Sequence, residues 1–232
     1  FFNNCSSNTS AFRSLGSIDE ASDTPAPTPA SNTVPSSVPT PIPSPGIPAQ
    51  PVIKGWSQLP NTKLSSVCVK KEDYFSFGFP GGCSMVVEAW SGGVADTKRN
   101  RLILWGGGHN DYYGNEVYSL NLVTQKMERL NNPTPLSAPP TCSTSQLADG
   151  RPNGRHTYGG LSYINGADKM MVLGGAPSCG PGGLINDAWT LDFSGLASQP
   201  ANGTYWNRVT AAIPNQGYGA MIAASDYDPV TK

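Results

Sequence analysis

The stretch Leu102-Ile-Leu-Trp-Gly-Gly-Gly-His-Asn-Asp-Tyr-Tyr-Gly-Asn-Glu-Val-Tyr118 joins an apolar run to a glycine stop, a polar and aromatic loop, and a second strand beginning at Asn115. A weaker copy follows: Met170-Met-Val-Leu-Gly-Gly-Ala176, then Asn186-Asp-Ala-Trp-Thr-Leu-Asp-Phe193. Consecutive apolar residues from Leu102 to Trp105 read as a strand buried on both faces. The next strand alternates, with Tyr118, Leu120 and Leu122 on one side and Val117, Ser119 and Asn121 on the other.

Outward from this stretch, Val86 to Ala95 reads as the innermost strand of a four-stranded unit, with a turn at Asp96–Asn100. Lys126-Met-Glu-Arg-Leu130 reads as its outer strand. The plan then repeats. Arg155-His-Thr-Tyr-Gly-Gly-Leu-Ser-Tyr163 aligns with Glu88-Ala-Trp-Ser-Gly-Gly-Val-Ala-Asp96 at an offset of 67. Met170–Gly175 aligns with Leu102–Gly107 at 68, with the one-residue change assigned to the turn, where Asn165-Gly166 is a hairpin signal. Trp189, Leu191 and Phe193 match Tyr118, Leu120 and Leu122 at 71. Agreement across three elements marks an internal repeat. Thr204–Val209 closes the second unit, and Tyr218–Ser225 opens a third.

Double glycine after an apolar strand, a later Tyr or Trp and a final Trp resemble the kelch repeat over residues 54–232, in the manner of the central domain of galactose oxidase. The resemblance implies an all-β fold: part of a kelch-type β-propeller. Blade one spans about 86–131, blade two about 155–212, and blade three begins at about 217. An N-terminal strand in Lys54–Leu64 is expected to close the ring. Two blades and two strands do not close one, so the chain is expected to be a fragment. The repeats exceed the usual length of about 50 residues through insertions at 131–154 and 176–185.

Residues 1–24 carry no helical or strand periodicity and read as disordered. Residues 25–53 form a Pro/Ser/Thr-rich linker, with ten prolines between Pro25 and Pro51 and no charge. Proline at that density favours an extended stalk, reaching roughly 80 Å at about 3.1 Å per residue. A flexible linker to a further domain is the alternative. Cys5 invites comparison with a lipid-modified cysteine after a secretion signal, although Asn3 and Asn4 match that pattern poorly.

A net charge of −1 leaves no electrostatic case for nucleic acid. No apolar run reaches the ~18 residues of a membrane helix. Of the five cysteines, none forms a C-x-x-C pair, which argues against structural zinc. Topology favours the pairings Cys68–Cys83 and Cys142–Cys179, because both pairs fall on one end of the blades; four buried thiols are the alternative. Disulfides would place the protein outside the reducing cytosol: extracellular, on the cell surface or periplasmic.

That same end gathers the loop from His109 to Tyr113, the 64–85 loop and the 131–154 insertion. Long loops pinned on a rigid scaffold are where function concentrates. The only two histidines, His109 and His156, fall there with Asp111, Tyr112, Tyr113, Asn115, Arg155 and Tyr158 as candidate ligand-binding residues. A histidine beside Tyr158 and Arg155 could abstract a proton from a sugar acid while the arginine holds its carboxylate, as in propeller-fold polysaccharide lyases. The plainer alternative is that His109 and Asp111 cap the glycine turn and His156 bonds between blades. Two histidines with Asp111 are also metal-ligating types, but no metal or cofactor is expected. The copper and Cys–Tyr set of a galactose-oxidase-like enzyme maps onto no residues here. The expectation is an exported propeller binding a glycan or other extracellular ligand, with a carbohydrate-active enzyme or a protein-interaction scaffold as alternatives.

Overall fold

The computed structural model describes residues 55–88, 90–107, 112–179, 185–198 and 205–210. All of them belong to one compact unit, Ile47–Lys232. The N-terminal segment, the whole Pro-rich linker, the third-blade start, His109 and Asp111 lie outside the described residues.

Ten strands are described: β1 (Gly92–Asp96), β2 (Arg101–Trp105), β3 (Tyr118–Asn121), β4 (Lys126–Arg129), β5 (Arg155–His156), β6 (Leu161–Ile164), β7 (Lys169–Leu173), β8 (Ala176–Pro177), β9 (Ala188–Asp192) and β10 (Trp206–Thr210). Two short α-helices, α1 (Met85–Glu88) and α2 (Phe193–Ser198), accompany them. The chain is mostly antiparallel sheet. Sheet one has the order β1-β2-β3-β4, and sheet two the order β6-β7-β9-β10. A two-stranded sheet joins β5 to β8.

The registers of the two sheets are equivalent, and they correct the alignment by one residue. Leu104 pairs with Tyr118 and Leu102 with Leu120; Val172 pairs with Trp189 and Met170 with Leu191. Offsets of 68 and 71 relate these pairs, as the sequence indicated. On the inner edge, Val94 pairs with Ile103 and Ser162 with Met171. That makes the inner-strand offset 68 (162 − 94) rather than 67. The turns 97–100 and 165–168 are equally long, so the extra residue lies before β6, not in the turn. Asn100 and Asp168, now equivalent, both have left-handed backbones, with φ of 50° and 55°.

The sheets stack on opposite faces. Val94, Ile103, Trp105 and Val117 from one face of sheet one join Leu161, Met170, Val172, Trp189, Leu191 and Trp206 in a single core. In register, the second set matches the other face of sheet one, where Leu104, Tyr118 and Met127 lie. That face is covered by the 64–85 loop, whose Leu64, Phe75 and Cys83 form a second core with Val86 of α1 and with Tyr112, Tyr113 and Tyr118. The loop therefore does for sheet one what sheet one does for sheet two.

Three expected elements differ. Val86–Glu88 is helical rather than strand, because amides from Met85 to Glu88 bond back to Gly82, Cys83 and Ser84 beside the Cys68–Cys83 disulfide. Only Val86 is buried; Val87 is exposed, so the valine pair lacks the two-sided burial that favours a strand. Residues 55–63 form no strand. Pro60 offers no amide, Asn61 turns the chain at φ 60°, and Trp56 is fully exposed. The third strand ends at Asn121, whose side chain accepts from the Val123 and Thr124 amides and so caps the turn, leaving Leu122 exposed. Its counterpart Phe193 is instead fully buried at the start of α2.

Candidate functional site

At the end of the sheets where β1 and β6 begin, β2, β4 and β7 run out into long connections, and β3 and β9 start from them. Both disulfides lie there: Cys68–Cys83, with Cα atoms 5.9 Å apart, and Cys142–Cys179, at 5.0 Å. Both are the expected pairs. The glycines after β2 and β7 serve close backbone approach. A Cβ on Gly106, at φ 148°, would stand 3.0 Å from the Arg155 carbonyl oxygen and collide with the Ser91 side chain. One on Gly175, at φ 109°, would stand 2.5 Å from the His156 carbonyl oxygen. The double glycine lets each loop fold back over the inner chain.

Several candidate ligand residues turn out to build the scaffold. Arg155 is fully buried. Its Nε donates to the Asn153 carbonyl at 3.1 Å, and Nη1 to the Gly174 carbonyl at 3.1 Å and to Asp187 at 2.5 Å. Its guanidinium also lies over the Trp105 ring. Asp187, buried too, accepts from the Trp189 indole at 2.6 Å and from Ser145. Arg155 is therefore the centre of a tie between the 131–154 insertion, the inner chain and β9, and its donors face protein rather than a cleft. Asn115 is a second tie. Its Nδ2 donates to Thr134 at 2.8 Å and to the Pro152 carbonyl at 3.0 Å, while its backbone carbonyl accepts from the Trp105 indole at 3.0 Å.

Glu116 stands where sheet two has Asp187, two residues before the aromatic of the third strand. Sheet one has Val87 or Glu88 where sheet two has Arg155, so no arginine enters the pocket from the inner chain. Glu116 instead accepts from Tyr112 and Tyr118, both at 2.5 Å on one carboxylate oxygen; the other oxygen has no hydrogen-bond partner among the described residues. Burial raises its pKa, against the lowering effect of both tyrosines and of distant Arg129. Burial first, then Glu116, also raises the Tyr112 and Tyr118 hydroxyls. Tyr113 packs edge-on against Phe77 and Phe79, with centroids 5.1 and 5.0 Å away. Tyr112 and Tyr113 thus anchor the 64–85 loop.

His156 is also buried and meets the Tyr158 ring edge-to-face at 5.9 Å. Tyr158 is half-buried, and it reaches the surface beside Trp90, which is 68% exposed. The sequence reading missed Trp90: an offset of 67 set it against Thr157, whereas the true register sets it against Tyr158. A separate cleft of about 540 Å³ is lined by Tyr74, Arg129, Asn132, Pro133, Asp149 and Arg151. Its arginines are engaged. Arg151 donates to Asp149 at 2.8 Å and to the Asn132 carbonyl at 2.6 Å, and Arg129 to the Val67 carbonyl at 2.7 Å.

The opposite end carries the short turns 97–100, 122–125 and 165–168, the β9–β10 connection with α2, and a cluster of charge. Arg99 bridges the sheets in two bonds to Asp168, at 2.8 and 2.6 Å, and also pairs with Asp96. Arg99 first, then Tyr163, hold the Asp168 carboxyl down at about 2, against partial desolvation. Among the described residues, no group of three His, Cys, Asp or Glu side chains is placed to hold a metal.

No protein-family model matches the sequence, and no curated protein matches it. Among the described residues, no helix is long and apolar enough to cross a membrane.

Proposed function

We propose that the chain is an exported kelch-type propeller segment that binds a glycan, or another extracellular ligand, through its loop-rich end. The observation that carries this reading is the convergence of both disulfides, the 64–85 loop, the 131–154 insertion and the connections after β2 and β7 on one end of two stacked, rigid sheets. Equivalent registers and face-to-opposite-face stacking support adjacent blades, since such packing repeats by rotation. Two disulfides fit an oxidising compartment. The lyase reading is disfavoured because Arg155, its carboxylate clamp, is held by Asp187 and backbone carbonyls. A Cys–Tyr cofactor is disfavoured because all four described cysteines are in disulfides.

The test is a glycan array probed with the oxidised full chain, repeated after reduction. Saturable binding lost on reduction is the expected result. Silence across neutral and acidic glycans, from a chain that unfolds cooperatively, would remove the glycan reading.

A further inference from the structure

We propose that Trp90 and Tyr158 form one stacking platform for the C–H face of a neutral pyranose ring. The proposal rests on the glycan reading above and names its contact surface and sugar class.

The two residues occupy equivalent positions, each two residues before the glycine that heads or immediately precedes its inner strand, at the offset of 68 (158 − 90) that the register fixes. Both have left-handed backbones, with φ of 55° and 48°. Glycine occupies that region freely, while a bulky aromatic there is strained. A conformation that glycine would fill more easily is here filled twice by a large ring. Such strain concentrates where a side chain has a task beyond folding.

Neither residue belongs to the two hydrophobic cores. Their ring centroids lie 6.3 Å apart with planes inclined at 42°. The backbone beneath is fixed: the Tyr158 amide donates to the Trp90 carbonyl at 2.8 Å, and the Gly92 amide to the Thr157 hydroxyl at 2.6 Å. His156 packs edge-on to Tyr158 from below. The platform is therefore preorganised, which lowers the ordering cost of binding.

Size and charge select the occupant. A whole Trp or Tyr side chain presents at most about 250 Å², and Trp90 is 68% exposed with Tyr158 less so. The pair thus offers well under half of the ~800 Å² per partner that a stable protein interface buries. One ring-sized ligand fits that area. Residues 90–93 and 156–160 carry no carboxylate, lysine or arginine, which favours an uncharged sugar over a uronate. The C–H bonds on one pyranose face carry partial positive charge and meet the negative face of the aromatic rings.

The experiment uses the full chain with Trp56→Phe. Trp105, Trp189 and Trp206 are buried, so Trp90 then supplies the exposed indole among the described residues. Acrylamide quenching is followed while gluco-, manno- and galacto-oligosaccharides, a uronate oligosaccharide and a synthetic peptide of residues 25–51 are added in turn. The expected result is saturable protection of Trp90 by a neutral oligosaccharide. In array binding, Trp90→Gly and Tyr158→Gly should each weaken affinity at least about tenfold, the loss typical of one aromatic anchor. Glycine relieves both left-handed backbones while adding unfolded-state entropy, so these variants should melt near the parent temperature, which separates lost binding from lost folding. Glycan binding that survives both substitutions would overturn the platform and leave the glycan reading standing. Protection by the uronate or the Pro-rich peptide alone would also overturn it. No glycan binding by the parent chain would sink both.

Discussion

Arg155→Met tests whether the buried arginine holds the loop-rich end together or serves a ligand. Arg155 and Asp187 are both fully buried and meet at 2.5 Å. Removing the guanidinium withdraws the Asp187 counter-charge and leaves the Asn153 and Gly174 carbonyls without this donor. Breaking a buried pair from one side typically costs about 3–5 kcal/mol. Asp187 keeps bonds from Trp189 and Ser145, so the lower half of that range is expected. Asp187→Asn should cost a similar amount, because it leaves the guanidinium buried without its anion. The double variant should lose less than the sum of the two, the deficit measuring the pair. The assay is urea unfolding of oxidised protein followed by tryptophan fluorescence, with Trp105 and Trp189 as reporters beside the pair. At this size, about 3 kcal/mol lowers the melting temperature by roughly 6–12 °C. A parent-like unfolding midpoint for Arg155→Met, together with lost glycan binding, would refute the scaffold role and return Arg155 to the ligand site.

Two further perturbations probe buried charge. Burial raises the Glu116 carboxyl pKa above its unfolded value, so its contribution to stability is full at low pH and is lost as pH rises through the folded value. Glu116→Gln should therefore match the parent near pH 4 and exceed it by about 1–3 kcal/mol at pH 8; a variant less stable at pH 8 would contradict this. Asp168 runs the other way. Its folded value of about 2 gives stability that is present above the unfolded value near 3.8 and lost as pH falls between the two. Asp168→Asn should flatten that acid limb, with a loss at pH 7 of only about 0.2–1 kcal/mol because the pair is partly solvated; pH-resolved unfolding midpoints check both.

Much of the fold was legible because its signals are local. Leu102–Trp105 and Met170–Leu173 are apolar runs long enough to announce strands, and the residues flanking them set where the chain turns. The two disulfides followed from knowing which end of each strand the loops leave. The site was less legible. Trp90 drew no attention, because side-chain similarity favoured an offset of 67, whereas register is set by which amides bond which carbonyls. Arg155 and His156 read as a ligand pair because nothing adjacent in sequence marks Asp187 or the glycine folds of Gly106 and Gly175 as the groups that bury them.

By itself the sequence determined an antiparallel all-β repeat with most of its long loops at one end, since period-two alternation and glycine stops act over a few residues. Only the tertiary structure decided which polar residues are scaffold and which face solvent. Asp187 lies 32 residues from Arg155, and the 64–85 loop must fold over sheet one before Glu116 loses its water. Burial depends on distant segments arriving together. The glycines of the Leu102–Tyr118 stretch thus bring the chain close, its tyrosines lock a loop, and the exposed aromatic chemistry passes to Trp90 and Tyr158 beside it.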